Sequence, residues 1–385
     1  MSNLAYINKI GAALPNDPVG NDEIESVLGM IGGKPSRAKR IVLRSNGIQT
    51  RHYVIDRHTG QALFNNAQLT AEAVRQLEGN GFRLSDIECL SCGTSSPDYI
   101  QPSHGLMVAG ELKLPPCEVV ATGGICMSGV ASLKYAYLNV IAGLTSNAVA
   151  TGSEVVSTVL MAKNFAAEAE AQVEALQRRP EIAFGKEFLR WMLSDGAGAM
   201  LVQNRPNEHG LSLRIDWIEQ RSYAGEMDAC MYAGAEKQPD GSLKGWREFD
   251  TMDYVFENSL FTVQQDVHLL DEHVLRLTME RGLSEVLEKH PFKPDSIDYF
   301  VPHYSSLYFR DKVRDSMRNV GFEIPQERWF TNLPRVGNVG SAAIYLMLEE
   351  LMTRNGLEAD QRILCYIPES SRFSTSFVHL TVVES

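Results

Sequence analysis

Three short stretches of this sequence carry side chains that could break and make bonds at an acyl carbon. The first is Thr122-Gly123-Gly124-Ile125-Cys126-Met127-Ser128-Gly129, followed by Val130, Leu133, Tyr137 and Ile141 at steps of three, four and four. That spacing predicts a helix with one buried face. Cys126 would then stand at a helix N-terminus, where unpaired amides and the positive end of the dipole favour thiolate over thiol. The second stretch, Tyr299-Phe300-Val301-Pro302-His303, is an apolar strand ending in a histidine. The third, Gly337-Asn338-Val339-Gly340-Ser341-Ala342-Ala343, is a Gly-Asn turn opening a helix of small residues. Each alone is compatible with plain packing. Together they supply a nucleophile, a group that gives or takes a proton, and an amide that can bond to a developing oxyanion. The other cysteines offer less. Cys89 and Cys92 form a C-x-x-C on an apolar run with no second pair at zinc spacing, and in a strand they point to opposite faces. Cys117, Cys230 and Cys365 read as packed or surface thiols. No residue set has metal-ligand spacing, and no nucleotide-binding loop is visible.

The elements that must position these residues alternate between strand-like and helical runs. Leu4–Ile10, a helix near 21–30, Ala67–Glu78, a strand at 87–91 and a helix near 103–113 begin the series, and the rhythm resumes after about residue 205. This is an α/β pattern. The stretch 166–176, rich in Ala and Glu, reads as an exposed helix, and 223–246 as a loop insertion; both look peripheral. At 385 residues the chain is long enough for two domains or one duplicated unit.

A formal charge of −12, with 44% hydrophobic and 22% charged residues, places the chain among globular proteins and argues against nucleic acid as a partner. The longest apolar run, 130–144, is broken by Lys134 and too short to span a membrane; with no leader-like start, the expectation is a cytoplasmic protein with reduced thiols. Against this acidity, residues 34–51 hold Lys34, Arg37, Lys39, Arg40, Arg44 and Arg51 and no acid. Such a window is either a solvated face or a docking site for an acidic or phosphate-bearing partner.

Read together, these stretches resemble the thiolase superfamily, in its ketosynthase III branch. Arg44-Ser45-Asn46-Gly47-Ile48, Ser95 to Tyr99, the Cys126 turn, Gly152-Ser153-Glu154, Ser194 to Ala199, Val301-Pro302-His303 and Gly337-Asn338 match that pattern in order. There are departures. Tyr304-Ser305-Ser306 stands where Gln-Ala-Asn is usual, Ile125 replaces a small residue, and Glu369-Ser370-Ser371-Arg372-Phe373 replaces a glycine loop. With Ile31 to Arg37 and Glu154, these look closer to bacterial ketosynthase/cyclases that make dialkylresorcinol and stilbene precursors.

The resemblance implies a thiolase fold: two duplicated βαβαβαββ halves, roughly 1–205 and 206–385, each with a five-stranded layer, in an α-β-α-β-α arrangement, assembled as a homodimer. It implies no resident cofactor, the substrates being phosphopantetheine thioesters on acyl carrier protein or coenzyme A. Cys126 would take the acyl group, with the amides of Cys126 and of the loop near Ser371 holding the oxyanion. His303 and Asn338 would then bind the carbonyl of a β-ketoacyl partner for Claisen condensation. Glu154, taken as the one acid ending a predicted core strand near the nucleophile, would serve ring closure to a cyclohexanedione. Arg372 would pair with Glu154 or hold substrate, Ser371 and Ser306 would line its path, and Lys34, Arg37, Lys39, Arg40 and Arg44 would dock the carrier protein. An acyltransferase forming esters or amides on the same fold, and a non-catalytic partner subunit, are the alternatives.

Overall fold

The computed structural model describes residues 4–36, 39–165, 189–354 and 356–384. The expected helix at 166–176 and Arg37 lie outside the described residues. Among them no helix is long and apolar enough to cross a membrane.

Among the described residues nine strands form the main sheet: β1 Tyr6–Ala13, β2 Cys89–Thr94, β3 Glu118–Thr122, β4 Asn147–Glu154, β5 Gly196–Gln203, β6 Leu211–Ser222, β7 Tyr299–Pro302, β8 Arg362–Glu369 and β9 Ser374–Glu384. Their order is β7-β8-β9-β6-β1-β5-β4-β2-β3. Only two residue pairs, Tyr6 with Arg214 and Ile7 with Leu213, join β1 to β6, so the sheet reads as two layers meeting at one corner. In the first layer β4, β2 and β3 pair in parallel and β5 runs antiparallel between β4 and β1; in the second β7 and β8 pair in parallel and β9 runs antiparallel between β8 and β6. The first layer has five strands. The second has four, and its fifth position holds a single bridge between Phe300 and Trp329. Pro325 and the tight turn Gln326–Arg328 precede that bridge, and Pro334 follows it, so too little extended chain remains for a ladder.

Side chains alternate across both layers, and this sorts the core into three zones. Val301, Cys365 and Val378 face inward with Ala148, Ala150 and Met200 of the first layer. Between the two sets lie α4 (Met127–Ile141), through Val130, Leu133, Ala136 and Val140, and α8 (Ala343–Arg354), through Ile344, Tyr345 and Leu348. The opposite face of the second layer, with Phe300, Leu364, Tyr366 and Phe377, packs on α6 (Gly282–Lys289) and α7 (Tyr308–Asn319) through Leu283, Val286, Val313 and Met317. The opposite face of the first layer packs on α2 (Asn66–Arg75) and α3 (His104–Leu112). The result is the expected α-β-α-β-α thiolase arrangement. Cys89 and Cys92 fall in different zones, as strand alternation requires.

The close fit of the buried helices has a local cause. A Cβ on Gly129 of α4 would lie 2.2 Å from the carbonyl oxygen of Ser341, and one on Gly152 of β4 would lie 2.3 Å from the same atom. Only glycine at both positions lets the turn after Asn338 settle against the nucleophile helix.

Candidate active site

Cys126 is the N-cap residue of α4 and keeps part of its surface open. Gly124, at φ 140°, makes the turn ahead of it possible. His303 follows β7, its backbone N–H donating to the Tyr366 carbonyl at 2.8 Å and so continuing the β7–β8 ladder by one residue. Asn338 is held by its backbone to the first half of the chain: its N–H donates to Met192 O at 3.0 Å, and its carbonyl accepts from Ser194 N–H at 2.9 Å. Its side-chain oxygen accepts from Gly340 N–H at 3.0 Å, which leaves the amide hydrogens for the cavity.

These three side chains line one narrow cavity of about 60 Å³, together with Met192, Met231 and Phe309. Cys126 and Asn338 also line a second cavity of about 280 Å³, whose wall includes Glu154, Ser95, Leu193 and Tyr232. The sulfur therefore sits at the junction of two spaces, with His303 on one side and Glu154 on the other.

Burial governs the electrostatics. His303 is 4% exposed, its ring makes no hydrogen bond among the described residues, and desolvation lowers its pKa to about 4, so the imidazole is neutral near pH 7. Glu154 is 2% exposed, and burial raises its pKa. Opposing that rise are the Ser95 and Ser96 hydroxyls, both donating at 2.7 Å, and the N–H groups of Ser95 and Ser341 at 3.2 Å.

Cys126 departs from expectation. Burial first, then the negative charges of Glu369 and Glu154, push its pKa well above the ordinary thiol value, so the resting sulfur is a thiol. Part of the reason, after burial, lies in the turn itself. Glu369 Oε2 accepts from Ile125 N–H at 3.0 Å and Met127 N–H at 2.9 Å, so the helix end already holds an anion. Among the described residues no backbone carbonyl accepts the N–H of Cys126, which lies against the residue's own sulfur.

Several expected residues lie elsewhere. Arg372 lies exposed in the turn between β8 and β9 and donates to Met227 O at 2.9 and 2.7 Å instead of pairing with Glu154. Ser306 is buried and accepts from Tyr308 N–H at 3.2 Å, whereas Ser305 reaches the narrow cavity. Ser371 does reach the wider cavity, and its hydroxyl donates to Glu369. The basic window also shrinks. Arg51 is fully buried and donates to Asn21 and to Trp191 O, and half-buried Lys39 pairs with Glu25 at 3.0 Å. Lys34, Arg40 and Arg44 remain exposed, the last two on α1 (Lys39–Asn46), whose end accepts the Leu307 N–H beside the narrow cavity.

Sequence reasoning missed two contributors. The insertion at 223–246 is not peripheral: Met231 lines both cavities, and Cys230 N–H donates to Ser371 O at 2.8 Å. Glu369 was also missed, although the rule that singled out Glu154, an acid ending a core strand, applies equally to the last residue of β8.

Comparison with known proteins gives a consistent picture. Residues 287–366 match the family described as 3-oxoacyl-[acyl-carrier-protein (ACP)] synthase III C terminal. The chain is 23% identical over 355 residues to a β-ketoacyl-[acyl-carrier-protein] synthase III of Clostridium perfringens, covering 92% of each. Among solved structures, a tetronic acid condensing enzyme superposes with a TM-score of 0.72 at 19% identity, covering 98% of this chain and 99% of that one. Xanthomonas campestris OleA, solved as a variant with bound lauric acid and lauroyl-CoA, gives 0.69 at 17% identity, covering 99% and 100%.

Proposed function

We propose that this chain, whose relatives and fold are those of ketosynthase III-like proteins of the thiolase superfamily, condenses an acyl thioester with a β-ketoacyl thioester and closes the product to a six-membered ring. The observation that carries this is the cavity lined by Cys126, His303 and Asn338, which shares Cys126 and Asn338 with a second cavity lined by Glu154.

In the first half-reaction the Cys126 sulfur bonds to the acyl carbon and the carrier's sulfur departs. The thiol proton ends on the departing sulfur, with the neutral His303 imidazole at hand to pass it. The Cys126 amide supports the tetrahedral oxyanion; donors of this kind contribute about 3 to 4 kcal/mol each. In the second half-reaction His303 and Asn338 donate to the thioester carbonyl of the β-ketoacyl partner and lower the cost of its enolate. The α-carbon bonds to the acyl carbon, the Cys126–acyl bond breaks, and the α-hydrogen ends on the released sulfur. With an α,β-unsaturated acyl group the chain then closes by conjugate addition. Glu154 takes a proton from the attacking carbon and returns it to the carbon beside the one attacked; its raised pKa suits a group that must work in both directions.

The substrates are phosphopantetheine thioesters, on acyl carrier protein or coenzyme A, and no resident cofactor is required. Exposed Lys34, Arg40 and Arg44, in an otherwise acidic chain, favour an acidic carrier protein. The chain divides for this chemistry into an N-terminal half, 1–205, with the nucleophile, and a C-terminal half, 206–385, with the histidine and asparagine. A homodimer is supported by β3, whose outer edge is unpaired among the described residues and which leads into the exposed Gly123 and Gly124 of the nucleophile turn.

The test is incubation with a β-ketoacyl thioester and an α,β-unsaturated acyl thioester, with products read by mass and proton NMR. A cyclohexanedione supports the proposal in full and an open-chain diketone removes the cyclase step. Ester formation with an added alcohol in place of carbon–carbon bonding replaces condensation by simple acyl transfer.

A further inference from the structure

Glu369 has no part in the chemistry above, yet it grips the nucleophile turn on both sides. It ends β8 and is 7% exposed. One carboxylate oxygen takes the Ile125 and Met127 N–H groups, at 3.0 and 2.9 Å; the other accepts the Ser371 hydroxyl. A Cβ on Gly124 would lie 3.6 Å from the same carboxylate, which shows how closely the turn folds over it.

Free amides at a helix start are the groups that stabilise an anion. Here they are already occupied by one. The ionisable groups that face Cys126 are Glu369 from β8, Glu154 from the end of β4 and His303 after β7, and no cation stands among them in the described residues. Arg372, adjacent in the loop, turns away to Met227.

We propose that Glu369 is a positioning residue for the nucleophile: it takes the amide hydrogens on either side of Cys126 and thereby keeps the sulfur protonated until a thioester reaches it. The inference rests on Cys126 as the acyl acceptor. A thiol at rest resists oxidation and stray alkylation, which follow thiolate character. When the carrier thioester arrives, the proton leaves with the departing sulfur in the same exchange, so no external base is needed.

The experiment measures alkylation of Cys126 by iodoacetamide in the full chain from pH 6 to 10, read at the Cys126 peptide by mass spectrometry, with thermal melts to check folding. Glu369→Gln keeps the shape and an acceptor but removes the charge. It should react about tenfold faster or more at pH 7, with the midpoint of its pH profile lowered by about one unit. Glu369→Asp keeps the charge and should stay within about twofold of the parent, which a purely structural role would not predict. Glu369→Ala, which leaves room for a water, should change in the direction of the glutamine variant and serves if that variant does not fold. Parental rates in both uncharged variants, or equal acceleration in Gln and Asp, would overturn the proposal. No acyl donor is present in this measurement, so its failure is distinct from failure of the condensation reading, which product analysis decides.

Discussion

Lowering the pH from 7.5 to 5.5 should leave the condensation half-reaction nearly unchanged, although a histidine is assigned to it. Burial holds the His303 pKa at about 4, with no carboxylate hydrogen-bonded to the ring to oppose it. At pH 5.5 a group with that value is about 97% neutral, whereas a solvated histidine titrating near 6.5 would be roughly 9% neutral. The two cases differ about tenfold in competent enzyme, well beyond assay error. The assay starts from isolated acyl-Cys126 enzyme, adds a β-ketoacyl thioester, quenches rapidly and counts open-chain and cyclic products together, so that any effect on ring closure drops out.

Folding stability limits the lower end of the range. A histidine whose folded pKa is depressed contributes fully above its unfolded value of 6.5 and loses stability as pH falls from there toward 4, because the unfolded chain binds the proton first. His104, buried against Ser153 and Thr70 and likewise lowered to about 4, behaves in the same way. At pH 5.5 the loss is about 1.4 kcal/mol for each histidine, which a domain of ordinary stability survives. A condensation rate that falls tenfold with a midpoint near 6.5, while the fold persists by circular dichroism, would refute the placement of His303 in a dry cavity.

Three other outcomes follow from the geometry. Glu154→Gln should preserve condensation and leave the product open-chain by NMR, and in the parent the cyclic fraction should fall as acid protonates the Glu154 carboxylate; a full cyclic yield from the variant would exclude that role. Gly152→Ala forces a methyl to 2.3 Å from the Ser341 carbonyl, and should cost about 1 to 3 kcal/mol in thermal or denaturant unfolding. Charge reversal at exposed Arg40 and Arg44 should slow turnover of carrier-bound acyl groups several-fold at low salt and spare small thioester analogues; equal loss with both substrates would mean that these side chains serve the fold.

How much of this was legible in the sequence depends on how local each signal was. The layering was legible because strand alternation and helical spacing are written residue by residue, as at Phe300/Val301 and along Val130–Val140. The nucleophile turn was legible for the same reason: Gly123-Gly124 and the run after Cys126 define a strand-to-helix junction without help from afar. The second layer's missing strand was not, since one stretch near Trp329 can form a ladder or a single bridge depending on the turns around it. Arg51 and Lys39 looked like surface charge because a list of basic residues says nothing of burial, and each found its partner outside the window, at Trp191 O and Glu25.

The charge state of Cys126 is the instructive failure. A helix N-terminus favours an anion whatever its source, and the sequence names only the local claimant, the thiol. In the folded chain Glu369 comes from the far end of the sequence and its carboxylate occupies the amides on either side of Cys126. The motif at 122–129 therefore specifies where an anion can be stabilised, and the last residue of β8 decides which group benefits. It follows that chains with the same cysteine turn but a glycine at the position of Glu369 should carry a more reactive sulfur. Glu369→Gly in this chain should reproduce that state, with Cys126 alkylated faster than the parent at pH 7.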